Sequence, residues 1–410
     1  MAEFFNVISP SDAVSLMTSI LQPVGKEIID TSKSVGRISF SEIKSNEDLP
    51  AYDRSAMDGY SVKASDTHGA SESLPAYLEL AGEVPMGKSP DVTLKNGEVA
   101  VAFTGGMLAK GADSVVMVEH TNLSQSGLVE VFRPVAQGEN VIGRGEDYSN
   151  GEVIIGDKSL IQSAHLGSML AVGITHVEVY HKPTIAVISA GDELVDPNSK
   201  PCAGQIRDIN LYTIGSLVKG IGASPKSYPR LPDDFWQQKK IAEQALLEND
   251  MVIFTSGSSV SNRDLTAKVI KGLGKPGLLA HGLALKPGKP TIVGMSSDKP
   301  VIGLPGNPVS AITVFDNVLR PVIAHMKGLH GWSPEIIAEA VLSTDIHSAS
   351  GRTDFIRVKI RTDTNSADLF ADPVLGKSNS ISVLSRSDGY LEIPSPDTGI
   401  YAGTKVKVFV

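Results

Sequence analysis

Cysteine is almost missing from this chain of 410 residues; Cys202 is the only one. That excludes an intrachain disulfide and any zinc or iron–sulfur site built on cysteine. Positive charge is also in deficit, with 37 Lys and Arg against 46 Asp and Glu, a formal net charge of −9. No basic stripe is present, so a partner bound through its phosphate backbone, and hence nucleic acid, is not expected. Long apolar runs are absent as well. None approaches the roughly 18 residues of a membrane span, and the start, Met1 to Asn6, lacks the basic-then-apolar order of a signal peptide. A cytoplasmic chain with no membrane partner is expected.

Several sharp catalytic motifs are missing too. There is no Gly-x-Gly-x-x-Gly after a strand, no His-Glu-x-x-His and no Gly-x-Ser-x-Gly elbow. The nine histidines show no metal-ligand spacing. Zinc hydrolysis and nucleophilic catalysis therefore have no support.

What is present is a chain that changes texture. Ser9 as cap, Pro10 as first helical residue and Asp12 as the acid of a capping box predict a helix over 9–22, with Ala13, Leu16, Met17 and Ile20 on one face. From 44 to 144 short runs such as Glu98 to Ala102 and Ser114 to Val118 alternate with Asn96-Gly97 and Ser126-Gly127 turns, a β-rich module. Residues 145–179 return to a helical pattern around Ile161, Ala164, Leu166 and Leu170. They are expected to pack with 1–43 as one elongated domain, leaving 44–144 as an insertion. Residues 180–327 alternate apolar strands with helices, the last beginning at Pro308 and kinked at Pro321. Uniformly apolar strands between helices imply a mostly parallel sheet covered on both faces, a central three-layer α/β/α domain. From 328 to 410 the texture is β again. The fold class is multidomain α/β plus β.

Sheets of that kind bind ligands at the carboxyl ends of their strands, and three strand ends carry unusual loops. Ile185–Ser189 leads into Ala190-Gly191-Asp192-Glu193-Leu194. Met251–Thr255 leads into Ser256-Gly257-Ser258-Ser259-Val260-Ser261-Asn262-Arg263-Asp264. Val301–Leu304 leads into Pro305-Gly306-Asn307-Pro308. Glycine lets backbone approach a ligand, and helix starts offer free N–H groups to anions. Gly257, Ser258, Gly306 and Asn307 are thus candidate phosphate donors. Lys286-Pro287-Gly288-Lys289-Pro290 adds two ammonium groups on a stiff turn. Asp192, Glu193, Asp208, Asp233, Asp234 and Asp264 lie beside these donors. Acids next to phosphates make sense with a cation between them, and Mg²⁺, which takes oxygen ligands, is the natural choice. Plainer readings stand beside these: helix-start acids for Asp192 and Glu193, an N-cap for Asp264 and for Asp233 or Asp234, an Asn307 cap before Pro308, surface lysines at 286 and 289, and an ion-pair turn at Arg144 to Asp147.

Taken in order, Ser55-Ala56-Met57-Asp58-Gly59-Tyr60, Thr104-Gly105-Gly106, Arg144-Gly145-Glu146-Asp147, Gly191-Asp192-Glu193-Leu194, Gly204-Gln205-Ile206-Arg207-Asp208-Ile209-Asn210, Lys286-Pro287-Gly288-Lys289-Pro290 and Gly303-Leu304-Pro305-Gly306-Asn307-Pro308-Val309-Ser310 resemble the MoeA family, also seen as the E domain of gephyrin. The resemblance spans essentially the whole chain. It implies four domains including a C-terminal β-barrel-like one, an elongated homodimer, and Mg²⁺-dependent insertion of molybdate into adenylylated molybdopterin with release of AMP. It implies catalytic roles for Asp58, Thr104 and Asp147 from the first part of the chain, and for Glu193, Asp233 and Asp264 from the α/β part. Glu193 and Asp233 would help hold the metal, and Asp58 or Asp147 would orient the attacking group. Lys286, Lys289, Pro305, Pro308, Arg352 and Ser378 would bind or shape the substrate site. Other cofactor-biosynthesis proteins are possible partners. The alternatives are a relative that prefers tungstate and a non-catalytic scaffold on the same fold.

Overall fold

A computed structural model describes residues 6–256, 260–329, 331–362 and 368–410, with backbone alone at 256 and 260–264. At its centre is a six-stranded sheet ordered Ser224–Ser227, Thr184–Ala190, Met251–Ser256, Lys299–Leu304, Ile292–Ser296, Pro276–His281. The first four strands run parallel. The last two are antiparallel, so the sheet is mixed. The cause is local. Only Ser297 and Asp298 separate Ile292–Ser296 from Lys299–Leu304, and Ser297 takes a left-handed φ of 56°. Two residues close a hairpin but cannot carry a crossover helix.

Along Thr184–Ala190 every residue after the first is buried, as a strand covered on both faces requires. Ile185 and Val187 pack on one side with Ile214 of the helix Asn210–Gly220 and with Ala311 and Phe315. Ala186 and Ile188 pack on the other with Ala242 of the helix Phe235–Glu248 and with Val269. Each such buried aliphatic side chain contributes about 1.5–3 kcal/mol. The expected kinked helix from Pro308 is three pieces: Pro308–Val314, a π-helical turn Phe315–Leu319, and Arg320–Met326. Pro321 lacks an N–H and crowds the carbonyl four residues back, so the hydrogen-bond ladder slips just before it.

The N-terminal helix spans Pro10–Ile20, and the Ser9 hydroxyl accepts the Asp12 N–H at 3.0 Å. Ala13 and Met17 join the core under the central sheet. Leu16 and Ile20, expected on the same buried face, are 42% and 38% exposed. Lys26–Asp30 pairs antiparallel with His176–Tyr180, and Ile43–Lys44 with Val153–Ile155. The helical pattern read over 145–179 reduces to Ser163–Ala171. Left-handed glycines at 151 and 173 interrupt it, and Met169 rather than Leu170 is buried. Between these pairings lies a second six-stranded sheet, ordered Ser114–Met117, Gly59–Val62, Glu98–Ala102, Ala76–Glu83, Leu128–Val131, Thr121–Leu123.

The C-terminal strands close on themselves. Thr353–Thr362 pairs with Leu369–Pro373, that with Ile336–Leu342, that with Lys405–Phe409, that with Gly389–Ile393, and the last returns to Thr353–Thr362. This five-strand barrel has its own core of Ala340, Leu342, Val358, Leu391, Ile393 and Val408. It carries one guest. Leu285–Lys286 runs parallel to Thr353–Asp354, which fastens the Lys-Pro-Gly-Lys-Pro segment to the barrel rather than to the central sheet. Among the described residues no helix is long and apolar enough to cross a membrane.

Candidate active site

A cavity of about 870 Å³ lies where the central α/β unit meets the barrel. On the α/β side it is lined by the segment from Lys286 to Pro290 and by Pro305, Asn307 and Ser310. On the barrel side it is lined by Thr344 to His347, Arg352, Arg357 and the turn from Pro373 to Asn379. Six predicted residues thus share one wall system: Lys286, Lys289, Pro305, Asn307, Arg352 and Ser378. Phe355, Val374, Leu375 and Val383 give it an apolar side. Cations and amide or hydroxyl donors above an apolar wall suit a flat organic group with an anion attached.

Local sequence explains the shape. Gly288 sits at φ 131°, and a Cβ there would lie 2.5 Å from Leu285 and 2.7 Å from Val314, so only glycine allows the turn to pack. Pro308 opens its helix as expected. Asn307 occupies the cap position without capping; its Nδ2 instead donates to the Ser378 hydroxyl at 3.0 Å. The Gly306 carbonyl accepts from Asn210 Nδ2 at 2.9 Å, which ties this loop to the Gly-Gln-Ile-Arg-Asp-Ile-Asn motif.

A second group gathers at neighbouring strand ends. Ala190 bridges to Leu231, and the Asp233 N–H donates to Asp192 Oδ1 at 3.2 Å. Glu193 folds back over Gly191, where an added Cβ would lie 2.7 Å from its Oε2. Asp192, Glu193 and Asp233 therefore collect around one loop pair. Asp234 caps the helix Phe235–Glu248 through the Gln237 N–H at 2.8 Å, so of the two adjacent aspartates it is Asp234 that caps. Gly257 and Ser258 lie outside the described residues. Asp264 falls in the helix Val260–Lys271, but its side chain is not described. Among the described residues no group of three or more His, Cys, Asp or Glu side chains forms a metal cage. The donors are all oxygen, and Mg²⁺ is commonly held by one or two carboxylates plus substrate phosphates, so these residues fit it.

The third group is in the N-terminal β sheet. Asp58 Oδ1 accepts the Thr104 N–H at 2.8 Å and the Thr104 hydroxyl at 2.9 Å. The Thr104 N–H above all, then its hydroxyl, holds the exposed Asp58 carboxyl below the usual range. Asp147 is exposed, its N–H bonded to the Leu49 carbonyl. Its neighbours follow the plain reading: Arg144 pairs with Asp48 at 2.8 Å, and Glu146 accepts the Gly143 N–H. These hydrogen bonds join Asp58 and Thr104 to each other within the N-terminal β module.

Sequence reasoning missed Asp354, Arg357 and Asp316. Asp354 is fully buried beside Arg352 and Lys286. Asp316, 4% exposed, accepts from Arg320 at 2.8 Å and from Arg357 at 3.2 Å, an ion-paired weld between π turn and barrel. A signal for Asp354 existed, since residues two apart in extended chain share a face, and Arg352 had been singled out.

Comparison with known proteins decides the family. Residues 8–173 match the model for the MoeA N-terminal region (domains I and II), 186–325 that for a probable molybdopterin-binding domain, and 339–410 that for the MoeA C-terminal region (domain IV). A putative molybdopterin biosynthesis protein of Methanocaldococcus jannaschii is 35% identical over 93% of this chain and 91% of its own length. The chain belongs to the MoeA family. A molybdopterin molybdenumtransferase of Nostoc is 30% identical over 93% of this MoeA-family chain and 88% of its own. The crystal structure of the molybdopterin biosynthesis MoeA protein from Pyrococcus horikosii superposes with a TM-score of 0.84 at 33% identity, covering 98% of this chain and 99% of that one.

Proposed function

We propose that this chain is a molybdopterin molybdenumtransferase. It places molybdate in the dithiolene of adenylylated molybdopterin and releases AMP. The observation that carries this reading is the cavity itself: Lys286, Lys289 and Arg352 beside the Asn307–Ser378 pair, over an apolar wall, in a MoeA-family chain. Molybdate is a tetrahedral dianion, and ammonium and guanidinium donors are its natural partners.

The division of labour follows from the three groups. Lys286, Lys289 and Arg352 bind molybdate and neutralise its charge. Asn307 and Ser378 orient the pterin end, and Phe355 and Val374 exclude water from it. Glu193 and Asp233 would hold Mg²⁺, which would supply positive charge beside the pyrophosphate oxygens. Asp58, ionised and fixed by Thr104, orients a water whose oxygen bonds to the adenylyl phosphorus as the bridging bond to the pterin phosphate breaks, giving AMP and the pterin phosphate. Asp58 sits beside the N-terminal sheet, and in this reading the working unit is a homodimer in which it would meet the strand-end acids of a second copy.

The test is AMP release from purified adenylylated molybdopterin, with and without molybdate and Mg²⁺. Molybdate-stimulated AMP release with formation of active cofactor is expected. A folded protein that yields neither would overturn the reading.

A further inference from the structure

The cavity's cations come from two different parts of the chain, and one buried carboxylate joins them. Lys286 belongs to the two-residue guest strand, and Arg352 leads into the barrel strand Thr353–Thr362. In the parallel pairing Lys286 is the register partner of Asp354. Asp354 has no exposed surface. Its Oδ1 accepts from Arg352 Nε at 2.9 Å, and its Oδ2 lies 3.6 Å from the Lys286 ammonium. Asp354 itself is not part of the cavity wall, whereas both cations are.

A carboxylate with no access to water is retained only where cations compensate it. The compensation here is unequal. Oδ1 has a short, directional hydrogen bond, and Oδ2 has a near cation but makes no hydrogen bond among the described residues. Arg352 commits Nε to Asp354, so the amino edge of its guanidinium stays available. The Lys286 and Arg352 side chains remain 53% and 36% exposed. Two long cationic side chains would otherwise repel each other and each lose rotamer entropy on gripping an anion. A fixed carboxylate behind them removes both costs.

We infer that Asp354 is a positioning residue that holds Lys286 and Arg352 at one spacing for a tetrahedral oxyanion. It touches neither substrate nor reacting atoms. The inference rests on the oxyanion reading of the cavity, and the experiment separates the two. Molybdate binding is measured by calorimetry on the full-length protein for the native chain, Asp354→Asn, Lys286→Met with Arg352→Met, and the triple variant. Asp354→Asn is expected to weaken molybdate roughly tenfold in the native background and less than about threefold where both cations are gone, as for coupled neighbours. In the AMP-release assay KM for molybdate rises by the same factor, while kcat at saturating molybdate stays within about threefold.

Unchanged affinity in Asp354→Asn overturns the inference, and so does an equal loss in both backgrounds. Unchanged affinity in the variant lacking both cations overturns the oxyanion reading instead. If Asp354→Asn does not fold, Asp354→Glu carries the test, because it keeps the charge and moves the oxygens by one methylene. Native molybdate affinity in that variant would likewise defeat the positioning role.

Discussion

Asn307 and Ser378 meet across the junction between the central sheet and the barrel, the amide of one donating to the hydroxyl of the other at 3.0 Å. The Ser378 carbonyl also accepts the Val309 N–H at 3.2 Å, so the helix start at Pro308 is docked on the barrel turn by two bonds. A neutral side-chain bond of this kind contributes about 0.5–1.5 kcal/mol. Ser378→Ala is expected to lower stability by about 1 kcal/mol or less and to weaken molybdopterin binding several-fold, because Asn307 is no longer oriented. Urea unfolding and ligand titration on the same protein check both halves.

The junction has a stronger fastening. Arg320 and Arg357, both partly exposed, pair with the buried Asp316, and Tyr390 donates to Asn317 Oδ1 at 3.2 Å beside them. Without Arg357, Asp316 keeps Arg320 but loses one hydrogen bond to a charged group, which costs about 1.5–3 kcal/mol. Arg357→Ala is therefore expected to destabilise more than Ser378→Ala. Urea unfolding would show it, and a loss under about 1 kcal/mol would contradict the buried-pair account.

Asp58→Asn makes a contrasting case. The residue is exposed, so its loss leaves no buried defect. Its carboxylate is held ionised by the Thr104 N–H and hydroxyl. Turnover is expected to fall about 10²-fold or more, the scale of a lost proton-handling or orienting group, with an unchanged melting temperature. Near-native AMP release from the folded variant would remove Asp58 from the mechanism.

Gly288→Ala tests the turn that presents the lysines. The added methyl meets Leu285 at 2.5 Å and Val314 at 2.7 Å, on a backbone with φ 131°. Overpacking and strain together cost roughly 1–3 kcal/mol, and molybdate affinity should fall with the displaced Lys286 and Lys289. A variant of native stability and affinity would show that the turn can relax.

One acid-sensitive feature lies away from the site. Glu248 is drawn down to about 2 by Lys226, then by Gln244 and the Tyr228 hydroxyl. Its folded value is depressed, so its contribution is present above the unfolded pKa of about 4.5 and is lost as pH falls from there towards 2. Glu248→Gln should lower stability near pH 7 to 8, where the contribution is fully present, and leave it nearly unchanged at pH 2, so the profile flattens between 4.5 and 2. Denaturation midpoints measured from pH 2 to 8 check the sign.

Much of this was legible in the residues. Ser9, Asp234 and Pro308 mark helix starts by chemistry that needs no tertiary partner. The run Thr184 to Ala190 reads as doubly buried because every position is small or apolar. Errors arose where a local pattern had two outcomes. Pro321 breaks a helix, but whether by a kink or a π turn depends on what packs around it. Leu16 and Ile20 fit an apolar face, yet the monomer buries only Ala13 and Met17. The Asn307 side chain read as a cap because the sequence holds no sign that Ser378 lies 3.0 Å away.

The sequence alone determined which chemistry this chain can carry: oxygen donors, lysines on a proline-stiffened turn, glycine loops at strand ends, and a single cysteine. Those follow from side-chain type and spacing along the chain. Tertiary structure alone decided which of them meet. Leu285–Lys286 leaves the central sheet to pair with Thr353–Asp354, which brings Lys286 to Arg352 and buries Asp354 between them. Strand pairing between segments some 70 residues apart rests on backbone hydrogen bonds common to every residue, so no local pattern of side chains announces it.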